Sequence, residues 1–331
     1  MAEQEGRGTD EEVAPGDGVK VGRRVTRRRI LSGAAAALGL GALEFASLSG
    51  KFDHRSAPAS ATEAARARYA GALERLEQPG SAEGALVHVG HSTHLLCIAG
   101  ARLLTDPWFF DPSFGALSHI AGPAAPPEEI GRLDALLVSH DHADHFDPKA
   151  ADRLDKTAVA IVATSSLAAQ ARALGFGSTV VLAPWETFDL RGARVTAVPG
   201  VHDIYEIGFV VEGGGHRVYF AGDTRLHDDL PAIAERLAPT AAILPVDGTR
   251  LTGGDLHVMT PDDAVEAARI LKVRAAIPSH AEAEFTDPLV EYVIASTIAG
   301  ANAAFAAAMA RALPGVACHV PEPGEYVSLT A

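Results

Sequence analysis

The chain has 331 residues, and its 42 acidic side chains against 28 lysines and arginines give a formal net charge of −14. Hydrophobic residues make up 47% of the composition and charged residues 21%, which is the balance of a chain that buries a core. Because phosphate backbones are bound by basic surfaces, the acidic charge argues against a nucleic-acid partner.

A basic stretch near the N-terminus precedes a short apolar run. The segment GRRVTRRR at 22–29 holds five arginines, and GAAAALGLGAL follows at 33–43. This order is typical of an export signal, and the apolar run is too short to span a bilayer. TRRRILS at 26–32 resembles a twin-arginine export motif with Arg27 and Arg28 as the pair. It predicts use of the twin-arginine machinery and a periplasmic, cell-surface or secreted location; a basic arm that contacts anions is the alternative.

The leader is predicted to end before the folded part of the chain begins. Residues 1–61 are interpreted as an export leader and linker, with cleavage near SAPASA at 56–61. The Ala-rich segment 62–78 is predicted to be a helix that Pro79 and Gly80 end.

The rest of the chain shows no second change of composition, so 62–331 is predicted to be one domain with its core over 85–285. Short apolar strands such as ALVHVG at 85–90 come first, and helices alternate with strands later. The Ala-rich stretch 288–312 is predicted to be a helix. This order suits a layered α+β or α/β sandwich with helices outside two sheets.

Histidines and aspartates gather in four segments where predicted strands end. The densest is SHDHADH at 139–145, and the others are PGVHD, AGDT and PSHAE. Strand ends on one rim of a sheet converge in space, and imidazole and carboxylate groups bind Zn²⁺, Mn²⁺ or Fe²⁺. Seven such groups are too many for one tetrahedral ion and about the right number for two.

The spacing HxHxDH at 140–145, followed by a later histidine, an aspartate in a GDT turn and a final histidine, resembles the metallo-β-lactamase superfamily. The resemblance covers about residues 85–285 and implies a four-layer αββα sandwich of the α+β class with a dinuclear metal site on one rim. The implied ligands are His140, His142 and His202 for the first ion, Asp144, His145 and His280 for the second, and Asp223 as the bridge between both.

A site of this kind implies a metal-dependent hydrolase. Two divalent ions, with zinc expected first and manganese or iron as alternatives, can share a hydroxide of near-neutral pKa and polarise the electrophile. Asp144 and Asp223 would then be catalytic, because they hold the ions that carry the bridging hydroxide nucleophile. No covalent enzyme intermediate is needed.

Two early motifs narrow the resemblance. GHST at 90–93 and LTDP at 104–107 are similar to the branch that holds N-acyl-phosphatidylethanolamine-hydrolysing phospholipase D and the ascorbate-6-phosphate lactonase-like hydrolases. This branch implies a small-molecule or lipid substrate, cleaved at a phosphodiester or at a lactone or other ester.

Three further residues are candidates for supporting roles. Asp106 would accept an imidazole N–H from a ligand histidine, or would cap the turn before Pro107. His91 in the GHST motif would support the metal site, or would make a hydrogen bond in its turn. His257, just before the predicted helix 260–272, would bind or protonate the substrate as a catalytic residue, or would lie on the surface.

Two other classes of function stay open. A catalytically silent metal- or partner-binding protein could use the same fold, although all seven ligand positions are present. A di-iron redox enzyme could use the same ligands.

Cys97 and Cys318 lie too far apart in sequence for a CxxC motif and are expected to be separate thiols, with a disulfide left open. The sequence does not indicate the oligomeric state.

Overall fold

The structure is a computed structural model that describes residues 57–80, 82–251, 254–287, 291 and 295–329. Two seven-stranded sheets lie at its centre. The described residues belong to one compact unit. The predicted export motif lies outside the described residues, so it stays a prediction, as does the boundary between residues 61 and 62. None of the described helices is both long and apolar enough to cross a membrane.

Strands and helices are numbered in chain order. The first sheet contains, in spatial order, β20 (Tyr326–Ser328), β2 (Gly84–Gly90), β3 (Thr93–Ile98), β4 (Ala101–Thr105), β7 (Ala135–Val138), β8 (Val159–Val162) and β9 (Ser178–Val181). The second contains β10 (Thr187–Leu190), β11 (Ala193–Pro199), β12 (Ile207–Gly213), β13 (His216–Phe220), β14 (Ala241–Pro245), β16 (Ala275–Ser279) and β19 (Ala317–Cys318).

Three strand pairs lie outside the two large sheets, and six α-helices occur within the described residues. The pairs are β1 (Ala57–Pro58) with β5 (Phe110–Asp111), β6 (Leu117–His119) with β17 (Ala283–Phe285), and β15 (Arg250–Leu251) with β18 (Ala295–Ser296). The helices are α1 (Glu63–Leu76), α2 (Pro148–Ala151), α3 (Ser165–Ala173), α4 (Leu230–Leu237), α5 (Pro261–Leu271) and α6 (Ala301–Ala312).

Buried apolar side chains join these elements into four layers. One cluster includes Leu96 of β3 and Phe209 of β12, so it spans both sheets, and it continues to α1 and α3 through residues such as Leu167. A second cluster joins the other face of the second sheet to α4, α5 and α6, with Ile233 and Phe305 fully buried. The predicted αββα sandwich is therefore confirmed.

The prediction of a helix over 288–312 is wrong over residues 295–300. Helix α6 begins at Ala301, after Gly300 in a left-handed conformation with φ of 70°, and Ser296 pairs with β15. Alanine content alone favoured a helix, but Ala295 and Ser296 form a strand pair and the glycine directly precedes the start of α6. Cys97 and Cys318 are free thiols, so the disulfide that the sequence left undecided is not present in this structure.

The direction of the strands creates one shared rim. In the first sheet, antiparallel β3 separates β2 from β4, and β4 is parallel to β7, so all three of β2, β4 and β7 run the same way. In the second sheet, β11 and β13 are each antiparallel to β12, while β13, β14 and β16 are parallel. The loops that leave the carboxyl ends of these strands meet between the sheets, where His145 after β7 lies 3.0 Å from Asp223 after β13.

Candidate metal centre

All seven predicted ligands lie on this rim and fall into two groups. In each group, every residue contributes one nitrogen or carboxylate oxygen, and these atoms lie within 4.8 Å of one another. We call them the first cluster and the second cluster. The first cluster consists of His140, His142, His202 and Asp223. The second consists of Asp144, His145 and His280 together with His91, for which only a supporting role was predicted.

The first cluster presents three imidazole nitrogens at close range. His142 Nδ1 lies 2.9 Å from His140 Nε2 and 3.3 Å from His202 Nε2. Two ligand nitrogens on one tetrahedral zinc ion, each bonded at 2.0–2.1 Å, would be about 3.4 Å apart. The spacing of the three nitrogens therefore fits a shared ion.

The second cluster is buried, and several of its polar atoms have no hydrogen-bond partner among the described residues. These atoms include Nε2 of His145 and of His280, and Oδ1 of Asp144. Asp144 Oδ2 lies 3.8 Å from His280 Nε2 and 3.9 Å from His145 Nε2. Because buried polar groups nearly always have a partner, a set of orphaned nitrogens and oxygens around one point fits a bound cation.

Asp223 lies between the two clusters. Its Oδ2 atom is 3.0 Å from His145 Nε2 and 2.9 Å from His280 Nε2, both in the second cluster, and 3.8 Å from His140 Nε2 in the first. A carboxylate in this position can contribute to two cation sites at once.

Carboxylates behind the clusters contact two of the histidines. Asp106 Oδ2 accepts a hydrogen bond from His145 Nδ1 over 2.7 Å, so Nε2 of His145 faces the second cluster. Asp247 Oδ2 lies 3.1 Å from His280 Nδ1 as an ion-pair contact, without the geometry of a hydrogen bond. Asp106 therefore lies behind a predicted ligand histidine and accepts its imidazole N–H.

His257 contributes through its backbone as well as its side chain. Its carbonyl oxygen accepts a hydrogen bond from Nδ1 of His202 over 3.1 Å, which leaves His202 Nε2 facing the first cluster. Its own imidazole lies at the margin of that cluster, with Nδ1 4.0 Å from Asp203 Oδ2. It belongs to a further group of candidate ligand atoms with His202 and Asp203.

Three of these residues have a strained backbone. The φ angle is 53° at His91, 28° at Asp106 and 63° at His280. Residues other than glycine pay of order 1–2 kcal/mol for such left-handed conformations, which persist where the surrounding structure holds them.

Glu206 and Asp247 complete the site, although the sequence analysis did not select them. Glu206 is fully buried, and its carboxylate accepts the backbone N–H of Asp223. Burial, reinforced by the charge of Asp223, raises the pKa of Glu206 to about 8. A Cβ atom at Gly222 would lie 2.3 Å from Glu206 Oε1, so this glycine makes room for the buried acid.

Nearby carboxylates favour the charged form of several site histidines in the metal-free protein. Burial is the largest single influence and opposes that form, but Asp223, Asp144 and the carboxylate behind each ring together hold the pKa of His145 and of His280 well above the usual value. At His202, the effect of burial is exceeded by the hydrogen bond with Asp203 and the charges of Glu206 and Asp223 together, and the pKa rises to about 9. A cation that binds these nitrogens must therefore displace protons.

Comparison with known families identifies the chain. A family model described as "Beta-lactamase superfamily domain" matches residues 101–281, which include all seven predicted ligands. The chain belongs to the metallo-β-lactamase superfamily. The resemblance drawn from the HxHxDH motif is confirmed at this level, while the phospholipase D-like and lactonase-like branch stays a prediction.

Curated relatives carry a common name. A UPF0173 metal-dependent hydrolase of Rubrobacter xylanophilus is 32% identical over 215 residues, which cover 59% of this chain and 80% of that protein. A UPF0173 metal-dependent hydrolase of Deinococcus radiodurans is 30% identical over 257 residues, covering 73% of this chain and 97% of that protein. The predicted enzyme class, a metal-dependent hydrolase, is confirmed.

A solved structure agrees on the fold. The crystal structure of a possible metal-dependent hydrolase from Veillonella parvula is similar with a TM-score of 0.62 and 17% identity, covering 74% of this chain and 99% of that chain. At this level of identity the likeness concerns the fold of the superfamily.

Proposed function

We propose that this member of the superfamily hydrolyses a phosphodiester, or a lactone or other ester, at a dinuclear metal centre. The observation that carries the proposal is the position of Asp223, whose Oδ2 atom lies within 3.8 Å of nitrogens from both clusters. Two divalent ions at these clusters, zinc first and manganese or iron as alternatives, would supply a water of lowered pKa and polarise the bond to be cleaved.

The protein's own groups would hold this chemistry in place. Asp106 keeps His145 in the tautomer that directs Nε2 inward, and the carboxylate of Asp247 lies beside Nδ1 of His280. Glu206 fixes the backbone of Asp223 by accepting its N–H. Because most of these groups are buried, bulk water does not compete for their hydrogen bonds and ion pairs.

His257 is proposed to bind the substrate or to donate a proton to the leaving group. Its side chain is 16% exposed, so it can reach a bound substrate, whereas the ligand histidines of the second cluster are buried. Burial lowers the pKa of His257 from its usual value, and Asp203, with Oδ2 4.0 Å from His257 Nδ1, opposes that shift. The place of His257 at the edge of the first cluster suits a group that contacts the substrate and exchanges a proton with it.

Apolar side chains beside the first cluster favour a substrate with an apolar portion. The ring of Phe114 meets that of His142 edge to face, with centroids 5.6 Å apart. Tyr205, three residues after His202, is 54% exposed. A lipid or an ester with an alkyl or aryl group would cover these rings.

The test is a hydrolysis panel with the metal-loaded full chain. The panel contains a glycerophospholipid, a chromogenic aryl phosphodiester and an acyl lactone. His280→Ala should abolish the activity, whereas His319→Ala, a histidine outside the metal clusters, should retain it. Metal-loaded protein that cleaves none of the three classes would contradict the proposal.

We further propose that the protein is exported through the twin-arginine machinery. The basis is the sequence pattern around Arg27 and Arg28. A fusion of the full chain to a reporter that is active only outside the cytoplasm should give a signal. That signal should disappear in the variant with lysine at both positions; a signal that survives the double substitution would contradict this route.

A further inference from the structure

His91 occupies a buried turn between β2 and β3. Its backbone has φ of 53°, and its N–H donates a hydrogen bond to Glu282 Oε2 over 3.2 Å. Glu282 lies two residues after His280 and also accepts a hydrogen bond from His88 Nε2 over 2.7 Å. The turn is therefore tied to the loop that carries His280.

The imidazole of His91 has no hydrogen-bond partner among the described residues. Both ring nitrogens are buried and unpaired, and the side chain has no exposed surface. A histidine that served only to stabilise the turn would be expected to use at least one nitrogen for a hydrogen bond. The neighbouring Trp108, whose ring meets that of His91 edge to face, donates its own N–H to Phe110.

Nε2 of His91 faces the second cluster. Nε2 lies 3.7 Å from Asp144 Oδ2, nearer than the 3.8 Å of His280 Nε2 and the 3.9 Å of His145 Nε2. The ring centroids of His91 and His280 are 4.2 Å apart. His91 Nε2 is thus as close to the Asp144 carboxylate as the Nε2 atoms of the predicted ligands His145 and His280.

We infer that His91 is a ligand of the ion in the second cluster, beside Asp144, His145 and His280. This inference rests on the dinuclear centre proposed above. With Asp223 shared between the clusters, the ion would have five protein ligands, which is more than a tetrahedral ion accepts. The second site would therefore favour a coordination number above four, as Mn²⁺ and Fe²⁺ commonly adopt with mixed nitrogen and oxygen ligands.

Cobalt(II) tests the inference in the full-length chain, because its visible absorption is much stronger at four-coordinate than at six-coordinate sites. In the wild-type protein we expect two bound cobalt ions and six hyperfine-shifted imidazole spin systems in the proton NMR spectrum. The expected imidazoles are those of His91, His140, His142, His145, His202 and His280. This count needs no variant, so it stands even if a substitution impairs folding.

The variant His91→Asn adds a second readout. We expect the second cobalt ion to bind at least about tenfold more weakly and to absorb more strongly, because one ligand is lost. The matched control is His119→Asn: this histidine is also buried near Trp108 but pairs with Asp111 and lies outside the clusters. The control should leave the affinity and the spectrum unchanged.

The outcomes separate the two proposals. Two cobalt ions in the wild type, with five shifted imidazoles and an unchanged spectrum in His91→Asn, would overturn the role of His91 and leave the dinuclear centre intact. A single cobalt ion in the wild type would overturn the dinuclear centre and this inference with it.

Discussion

Asp106 accepts a hydrogen bond from His145 Nδ1 over 2.7 Å, and neither side chain is exposed. The same carboxylate accepts the backbone N–H of Ser139 over 2.8 Å and its hydroxyl over 2.5 Å. Since Ser139 begins the loop that carries the HxHxDH motif, Asp106 fixes both the start of the loop and the tautomer of its last histidine.

The variant Asp106→Asn tests this relationship. An amide does not accept the imidazole N–H as strongly as a carboxylate, so the affinity of the second site for metal should fall by about 10–100-fold. Competition with a chromogenic chelator measures the affinity. Asp111→Asn, which weakens the equivalent contact to His119 outside the clusters, should have no effect; equal affinities for both variants would refute the role of Asp106.

Gly222 is expected to be intolerant of a side chain. Its φ is 70°, and a Cβ atom there would lie 2.3 Å from Glu206 Oε1. Gly222→Ala should therefore lower the free energy of unfolding by about 1–3 kcal/mol more than the control Gly215→Ala. The control has φ of 85° and open space around its Cβ position, so it reports the backbone strain alone. Denaturant unfolding of both variants measures the difference, and equal losses would show that the contact with Glu206 is unimportant.

The buried Glu206 should make the metal-free protein less stable as the pH rises. In the folded state the pKa of Glu206 is raised to about 8 from its usual 4.5, mainly by burial. Between these values the folded state binds the proton that the unfolded state has lost, so stability falls with rising pH, by up to about 1.4 kcal/mol per unit. Glu206→Gln removes this titration, and its unfolding free energy should depend less on pH between 6 and 8. Identical pH dependence in both proteins would exclude a raised pKa.

Metal binding should release protons at neutral pH. The pKa values of His145 and His280 are held above the usual range and that of His202 is raised to about 9, so these imidazoles carry protons in the metal-free site. Since a cation binds only the neutral imidazole, metal affinity should rise with pH up to about 9. Calorimetric titrations in two buffers of different ionisation enthalpy measure the protons released. Heats that do not depend on the buffer would contradict the charged state of these histidines.

Much of the site could be predicted from the sequence because it follows one rule. Histidines and aspartates directly after apolar strands, such as His140 after β7 and His280 after β16, converge at the carboxyl ends of parallel strands. Asp247 obeys the same rule after β14, but it lies outside the ligand pattern of the superfamily, which selected Asp223. Glu206 obeys no such rule, because it precedes β12 and meets Asp223 only through the packing of two loops.

Local sequence was also insufficient where a side chain had more than one possible role. His91 lies in a motif that pointed to the site, but its place in the second cluster depends on the loop that brings His280 to within 4.2 Å between ring centroids. Composition misled at 295–300, where alanines favour a helix but Ser296 is paired in a strand and Gly300 directly precedes the start of α6 at Ala301.

The central claim is that Asp223 joins two cation sites into one hydrolytic centre, and titration of the metal-free full chain with Zn²⁺ or Mn²⁺ tests it most directly. Hydrolysis of whichever substrate in the panel is cleaved should rise until two equivalents of metal are bound. Asp223→Asn should then bind metal more weakly and show little activity. Full activity at one equivalent, or an Asp223→Asn variant that still binds two ions and turns over normally, would contradict the dinuclear centre.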